Sequence, residues 1–144
     1  MKNIFIKVFS LTTLRFLMGF IFLWAFLDKT FGLGKATLPG KSWIAGGSPT
    51  TGFLSNAVQG PFASFFNSLA GVALVDWLFM LGLLFVGVTL LVNRYVKWGA
   101  IAGVMMLVLM YLAVLYPENN PFVDDHLVYA VLLGYIAIHS RNKS

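Results

Sequence analysis

Long apolar runs that are almost free of charge dominate this chain of 144 residues. Its residues are 59% hydrophobic and only 10% charged, and the mean hydropathy is +0.85. A soluble domain of this size cannot bury so much apolar surface, and large exposed apolar patches drive association. Nearly charge-free runs of about 20 residues are instead typical of membrane-spanning helices. The sequence therefore predicts an all-α membrane protein.

Four segments are predicted as transmembrane helices, because a spanning helix needs about 20 mostly apolar residues. The predicted spans are residues 9–31, 74–92, 98–116 and 125–140. Pro117 and Pro121 mark a turn between the last two, and the second and third are separated by only a few residues. Such short connections predict a single domain, residues 1–144, built as an antiparallel four-helix bundle. Gly99 and Gly103 lie one turn apart and favour close helix packing.

The distribution of charge predicts the orientation of the bundle. With four spans, both termini and the turn near residue 95 lie on one side, which carries seven of the ten basic residues and no acid. These seven are Lys2, Lys7, Arg15, Arg94, Lys97, Arg141 and Lys143. The opposite side carries Lys29, Lys35 and Lys41 together with all five acidic residues. By the positive-inside rule, both termini are predicted to be cytoplasmic.

Residues 34–73, which we call the cap segment, connect the first two predicted spans at the outer face. No charged residue occurs at 42–75, but glycines and prolines interrupt this stretch, so it cannot be a straight spanning helix. Trp43 and Trp77 flank it, as interfacial aromatic residues do. Four apolar residues inside it have the spacing of an amphipathic helix, and these are Phe62, Phe65, Phe66 and Leu69. We expect one or two short interfacial helices that cover the bundle.

The first predicted span contains charges that its length cannot keep out of the membrane boundary. Its uncharged stretch, residues 16–27, is about 18 Å long at 1.5 Å per residue, against about 30 Å of hydrocarbon. Arg15, or Asp28 with Lys29, is therefore expected at or inside the boundary. Arg15 either snorkels to the cytoplasmic headgroups or has a partner inside the bundle. Asp28 and Lys29 form either an interfacial ion pair or part of a site.

Asp124, Asp125 and His126 stand together at the start of the fourth predicted span. One carboxylate at a helix start is explained by capping of the free N–H groups. A second acid and a histidine exceed that need, and histidine is the residue type that exchanges protons near neutral pH. His126 is therefore either a structural histidine or a proton carrier.

Every outer helix end carries an acid, since Asp76 begins the second predicted span and Glu118 follows the third. This arrangement predicts a polar pocket with an apolar floor beneath the cap segment, the usual form of a small-molecule site. We expect catalytic, proton-handling roles for Asp28, Asp124, Asp125 and His126. We expect substrate-binding roles for Arg15, Lys29, Trp43 and Asp76.

The composition also limits the cofactors and partners. Without cysteine the chain has no thiolate ligands for an iron–sulfur cluster, and two histidines are too few for a bis-histidine haem or a typical zinc site. The basic residues are scattered around apolar segments, so nucleic acid is not an expected partner. A membrane quinone suits the predicted pocket, because its ring needs apolar walls and its oxygens need proton donors.

Several blocks of the sequence together resemble the DoxX-like membrane proteins. The blocks are LRFLMGFIFLWAFLDKTFG (14–32), SWIAGGSPTTGFL (42–54), GPFASFFNSLAG (60–71), DWLFMLGLLFVGVTLL (76–91) and NNPFVDDHLVYAVLL (119–133). The likeness covers nearly the whole chain. It is greatest to the DoxD type, the large subunit of thiosulfate:quinone oxidoreductase.

The resemblance implies a four-helix protein of the prokaryotic plasma membrane that passes electrons from thiosulfate to membrane quinone. It also implies a small second subunit, and a homo-oligomer is a further possibility. The outer face has three basic residues against five acids, a charge that repels a dianion. Two alternatives therefore stay open. The chain is a non-catalytic scaffold for an extracytoplasmic redox partner, or a small transporter or lipid-binding protein.

Overall fold

The computed structural model describes residues 10–140, and all of their regular structure is helical. Predictions about residue 9 of the first span and about Lys2, Lys7, Arg141 and Lys143 lie outside the described residues. We number the α-helices in chain order. They are α1 (Leu11–Phe31), α2 (Thr51–Asn56), α3 (Ala63–Ser68), α4 (Ala73–Val92), α5 (Val96–Ala113) and α6 (Asp125–His139). Residues 10–140 contain no β-strand.

Three of these helices, α1, α4 and α5, are long and apolar enough to cross a membrane. They correspond to the first three predicted spans. Helix α6 corresponds to the fourth, but its 15 residues reach only about 22 Å at 1.5 Å per residue. A fourth crossing of the membrane stays a prediction.

The two ends of α1 are fixed by local signals. The Ser10 hydroxyl accepts a hydrogen bond from the Thr13 N–H at the start, as an N-cap residue does. Gly32 ends the helix with a left-handed backbone (φ 66°), and its N–H donates to the Asp28 carbonyl over 2.8 Å. A glycine takes this conformation without a Cβ penalty. The end of α1 therefore directs the chain sharply into the cap segment.

The four long helices pack around one hydrophobic core. Its most buried residues come from every one of them, with Phe22 on α1, Val86 on α4, Ala100 on α5 and Leu133 on α6. Helix α4 packs against α1 and α5, and α6 packs against α5 and α1. The core of the described residues is therefore the interior of a four-helix arrangement.

Glycines let these helices approach closely. A Cβ on Gly87 of α4 would lie 2.7 Å from the Leu23 backbone nitrogen of α1. On α5, a Cβ on Gly103 would meet the Leu133 side chain, and one on Gly99 would meet the Thr89 side chain. The predicted packing role of Gly99 and Gly103 is confirmed.

Helix α5 occupies residues 96–113, whereas the sequence predicts 98–116. Gln59 of the cap segment accounts for the earlier end. Its backbone N–H donates to the Ala113 carbonyl at 3.0 Å, and its side-chain amide donates to the Tyr116 carbonyl at 2.7 Å. The last carbonyls of a helix need partners from outside it, and here a loop provides them instead of another helical turn.

The cap segment follows α1 and leads into the start of α4. It contains two 3-10 turns, Pro39–Lys41 and Trp43–Ala45, followed by α2 and α3. Leu54 of α2 and Phe66 of α3 are buried with Ala113 in a small second core. The cap segment is thus packed against the end of α5. Its position relative to a membrane stays a prediction.

Candidate functional site

The Asp28 carboxylate holds the first part of the cap segment. Asp28 is near the end of α1 and only 1% exposed. One oxygen accepts the Lys35 N–H at 3.2 Å, and the other accepts the Ala36 N–H at 2.9 Å. A buried carboxylate is tolerated when it is hydrogen-bonded in this way. The geometry gives Asp28 a defined structural task, and its predicted catalytic role stays a prediction.

The Asp76 carboxylate holds a second part of the cap segment. It is buried in the first turn of α4. Its Oδ1 accepts hydrogen bonds from the Ser48 hydroxyl at 2.8 Å, the Thr50 hydroxyl at 2.5 Å and the Thr50 N–H at 3.2 Å. Hydrogen bonds to a charged group are stronger than neutral ones. Asp76 thus has a structural task in holding the cap segment, and its predicted substrate-binding role stays a prediction.

Asp124 and His126 form a hydrogen-bonded pair at the start of α6. Asp124 caps the helix by accepting the Leu127 N–H at 3.0 Å, which confirms that a carboxylate caps this end. Its other oxygen lies 2.5 Å from His126 Nδ1. Asp125 is exposed. The His126 ring meets Phe53 of α2 edge-on, with 6.4 Å between the ring centres. The pair therefore contacts the cap segment through the Phe53 ring.

A largely apolar cavity of about 390 Å³ lies between the cap segment and the helices. Helices α4 and α5 form one side and the cap segment forms the other. The lining residues are Lys29, Pro49, Thr50, Phe53, Leu54, Phe66, Leu69, Val75, Leu78, Phe79, Met106, Leu109, Met110 and Ala113. Its size falls in the range of small-molecule sites. The sequence predicts a pocket beneath the cap, but the walls are much less polar than expected.

Lys29 is the one charged residue in this lining. It extends from α1, and its ammonium lies 5.9 Å from the centre of the Phe79 ring on α4. A cation over an aromatic face at about this distance is attracted by the ring. Of the eight predicted site residues, Lys29 alone lines the cavity. Asp76 and His126 do not line the cavity, but each contacts a residue that does: Asp76 accepts from Thr50, and the His126 ring contacts Phe53.

The remaining two predicted residues, Arg15 and Trp43, lie elsewhere. Arg15 donates a hydrogen bond from Nη1 to the Leu90 carbonyl of α4, so it has a partner within the bundle, which is one of its two predicted alternatives. Trp43 packs edge-on against Trp77, with 4.6 Å between the ring centres. Both tryptophans were predicted as flanking interfacial residues, and the predicted substrate-binding role of Trp43 stays a prediction. Their contact fastens the cap segment to α4.

Sequence reasoning missed Thr50, Phe53 and the methionines of α5 as cavity residues. Thr50 and Phe53 follow Pro49 at the start of α2, a helix too short for a periodic pattern to indicate the direction of its side chains. The signal for Phe66 and Leu69 was present, since both belong to the predicted amphipathic pattern. Within residues 10–140, no group of three or more His, Cys, Asp and Glu side chains has the arrangement of a metal site.

The described residues thus define an all-helical protein with three helices that are long and apolar enough to span a membrane. Comparisons with protein-family models, with curated proteins and with solved structures find no match. The likeness to DoxX-like proteins stays a resemblance of sequence blocks.

Proposed function

We propose that this chain is the membrane subunit of a quinone-linked oxidoreductase. The observation that carries the proposal is the cavity beneath the cap segment, with apolar and aromatic walls and one ammonium group. A quinone ring matches such walls, and the Lys29 ammonium provides a hydrogen-bond donor for one ring oxygen. The protein supplies binding and orientation, while the quinone itself carries the electrons.

The reaction needs protons as well as electrons. Reduction of a quinone to the quinol takes up two electrons and two protons. The Asp124–His126 pair lies one ring away from the cavity, across Phe53, and a histidine held by a carboxylate is a common proton carrier. In this proposal His126 passes protons toward the quinone, and the exposed Asp125 exchanges them with solvent.

Thiosulfate is the electron donor that the family resemblance implies. Two thiosulfate ions joined as tetrathionate release the two electrons that one quinone accepts. The acidic outer face repels this dianion, so we propose that a small second subunit binds the thiosulfate. The chain contributes the quinone site and the lipid-facing helices.

The charge distribution supports an orientation for this function. We propose a multi-pass protein of a prokaryotic plasma membrane, with α6 as the fourth span and both termini cytoplasmic. Arg15, Arg94 and Lys97 at the end of the helices away from the cap segment support it, as do the further basic residues that the sequence has near both termini. The cavity, Asp124 and His126 then lie near the outer face, where an extracytoplasmic donor can reach them.

One observation favours the alternative of a non-catalytic scaffold. Asp28 and Asp76 are buried, and both accept hydrogen bonds from the cap segment. Two of the predicted site carboxylates thus stabilise a rigid outer surface. Such a surface is what a docking platform for an extracytoplasmic redox protein requires.

The first test measures quinone in protein purified from its native membrane in mild detergent. We expect about one quinone per chain in the organic extract. Leu109→Trp fills the cavity wall with a large ring and should remove the quinone. Val108→Trp, on the neighbouring partly exposed position outside the lining, is the matched control and should keep it.

The second measurement is reduction of a soluble quinone analogue by thiosulfate with the same preparation. Asp125→Asn and His126→Ala should lower the rate, whereas Glu118→Gln, at another exposed acid, should not. A folded protein with neither quinone nor turnover would contradict the oxidoreductase and favour the scaffold.

A further inference from the structure

The Lys29 ammonium is the one charged group among the described residues that line the cavity. Among residues 10–140, the ion pair within 4.0 Å is that of Asp124 and His126, so no carboxylate approaches Lys29 this closely. The neighbouring Asp28 carboxylate attracts Lys29 electrostatically, but it is more than 4.0 Å away and accepts hydrogen bonds from the backbone of the cap segment. An ammonium among apolar side chains is costly unless it is paired. Within the described part of the chain, no carboxylate forms a direct ion pair with Lys29, so the cavity provides a position where a ligand anion is favoured.

The cavity also has an outward-facing wall between α4 and α5. Leu78 and Leu109 line it from these two helices, and they are 63% and 53% exposed. Both helices are apolar enough to span a membrane. Exposed leucines on such helices face hydrocarbon, so a ligand reaches the cavity sideways from the bilayer. The class of ligand that arrives in this way has a long apolar chain.

The position of the ammonium beside an apolar wall suits a lipid head rather than a water-borne ion. Phe79, which lies next to Lys29, is six residues after the start of α4 at Ala73. That separation is about 9 Å along the helix axis. Lys29 extends from the last turn of α1 to the Phe79 ring, in the same cavity lining as the two outward-facing leucines. A carboxylate can reach it while the attached chain remains among the lipids.

We propose that this cavity binds the carboxylate of a long-chain fatty acid from the bilayer, paired with Lys29, with the chain leaving between Leu78 and Leu109. A cavity of about 390 Å³ accommodates the head and first part of one chain. A two-chain phospholipid has the same anionic chemistry but a bulkier head. This inference goes beyond the quinone function, because it requires no electron transfer. Where both ligands bind, the fatty acid competes with quinone.

The test uses the full chain in phosphatidylcholine nanodiscs with a photoreactive 16-carbon fatty acid as the probe. We expect crosslinks at residues 75–79 and 106–110, located by peptide mass spectrometry. Lys29→Met should reduce crosslinking at least about tenfold, the change that about 1.4 kcal/mol produces. Lys29→Arg should retain most of it. Lys35→Met removes a lysine that lies outside the cavity lining and is the matched control.

Competitors identify the head group. Palmitate should displace the probe, and its methyl ester, which lacks the charge, should not.

Equal crosslinking in Lys29→Met and the unaltered chain would overturn the proposal, as would equal competition by the ester. Loss of crosslinking in Lys29→Arg with unchanged thermal unfolding also contradicts it. Displacement by phosphatidylglycerol but not by palmitate would assign the site to a phospholipid phosphate and overturn the fatty acid. Quinone content, measured separately, shows whether the quinone function fails independently.

Discussion

Asp76 is a single residue that fastens a segment with no charge of its own. The stretch from 42 to 75 contains no charged side chain, yet Ser48 and Thr50 both donate hydrogen bonds to one Asp76 oxygen. Removal of that oxygen leaves the buried Thr50 N–H and hydroxyl without their acceptor. An unsatisfied buried polar group costs about 1–3 kcal/mol. Asp76 is therefore expected to determine the stability of the cap segment.

We predict that Asp76→Ala lowers the free energy of unfolding by about 2–4 kcal/mol, because several charge-assisted hydrogen bonds are lost together. Thermal unfolding in detergent measures the loss, and limited proteolysis should show faster cleavage at residues 44–48. Asp125→Ala, at an exposed carboxylate, is the control and should change stability by less than about 0.5 kcal/mol. Equal stability of the two variants would show that the hydrogen bonds to Asp76 do not hold the cap segment.

Residue-scale predictions from sequence succeeded where the interaction is local. The capping role of Asp124 depends on a hydrogen bond three residues away, and the pattern of acids at a helix start indicates it. The partners of Asp76 are 26 and 28 residues distant in the chain. No local rule identifies a loop hydroxyl as the partner of a helix acid, so the structural task of Asp76 was not predicted.

At the scale of the helix, the contact of α1 with α4 depends on small residues. The α1 residues Gly19, Leu23 and Lys29 meet α4 at Leu90, Gly87 and Phe79, in descending order. The two helices are therefore antiparallel, as predicted. Gly87 is the closest of these contacts, because the Leu23 backbone occupies the place of its absent Cβ. Backbone is less able than a side chain to move away from an added methyl group.

We predict that Gly87→Ala destabilises the protein by about 1–2 kcal/mol. Overpacking costs about 1–3 kcal/mol, and the better helix propensity of alanine returns up to about 1 kcal/mol. Gly134→Ala on α6 is the matched control, since nothing lies within 4 Å of its added Cβ. That variant should be neutral or stabilised by up to about 1 kcal/mol. Thermal unfolding of both variants in one detergent gives the comparison, and equal values would argue against close packing at Gly87.

The sequence predicted the long helices well, but it did not predict the contacts that the connecting segments make with them. Apolar composition is a strong signal over 20 residues, so α1, α4 and α5 agree with the predicted spans to within a few residues. The end of α5 differs because Gln59, far away in the sequence, donates hydrogen bonds to the Ala113 carbonyl at the helix end and to the Tyr116 carbonyl beyond it. The apolar character of the cavity depends on how the cap segment covers α4 and α5. That arrangement is a tertiary property and has no periodicity in the sequence.

At the scale of the whole molecule, two exposed positions identify the two ends of the long helices. Lys97 is exposed in the first turn of α5, at the end away from the cap segment, while Ser55 is exposed on α2 within the cap segment. The chain has no cysteine. A single introduced thiol can therefore be labelled without background from other positions.

We predict that a membrane-impermeant maleimide labels Ser55→Cys on intact cells and labels Lys97→Cys only after the membrane is opened. The reason is the positive-inside rule, which puts the basic end in the cytoplasm. Labelling of both variants after detergent treatment is the control for access. Labelling of Lys97→Cys alone on intact cells would reverse the orientation, and with it the proposed outer position of the cavity.

The two buried acids, Asp28 and Asp76, restrict the residues at their partner positions to different degrees among relatives of this protein. Asp28 accepts backbone N–H groups, which every residue except proline provides, so positions 35 and 36 can drift while Asp28 is kept. Asp76 accepts side-chain hydroxyls, so Ser48 and Thr50 are restricted to residues that can donate. We expect a homologue without an acid at position 76 to lack the hydroxyls at positions 48 and 50 as well. Loss of the acid at position 28 should not change which side chains occur at positions 35 and 36.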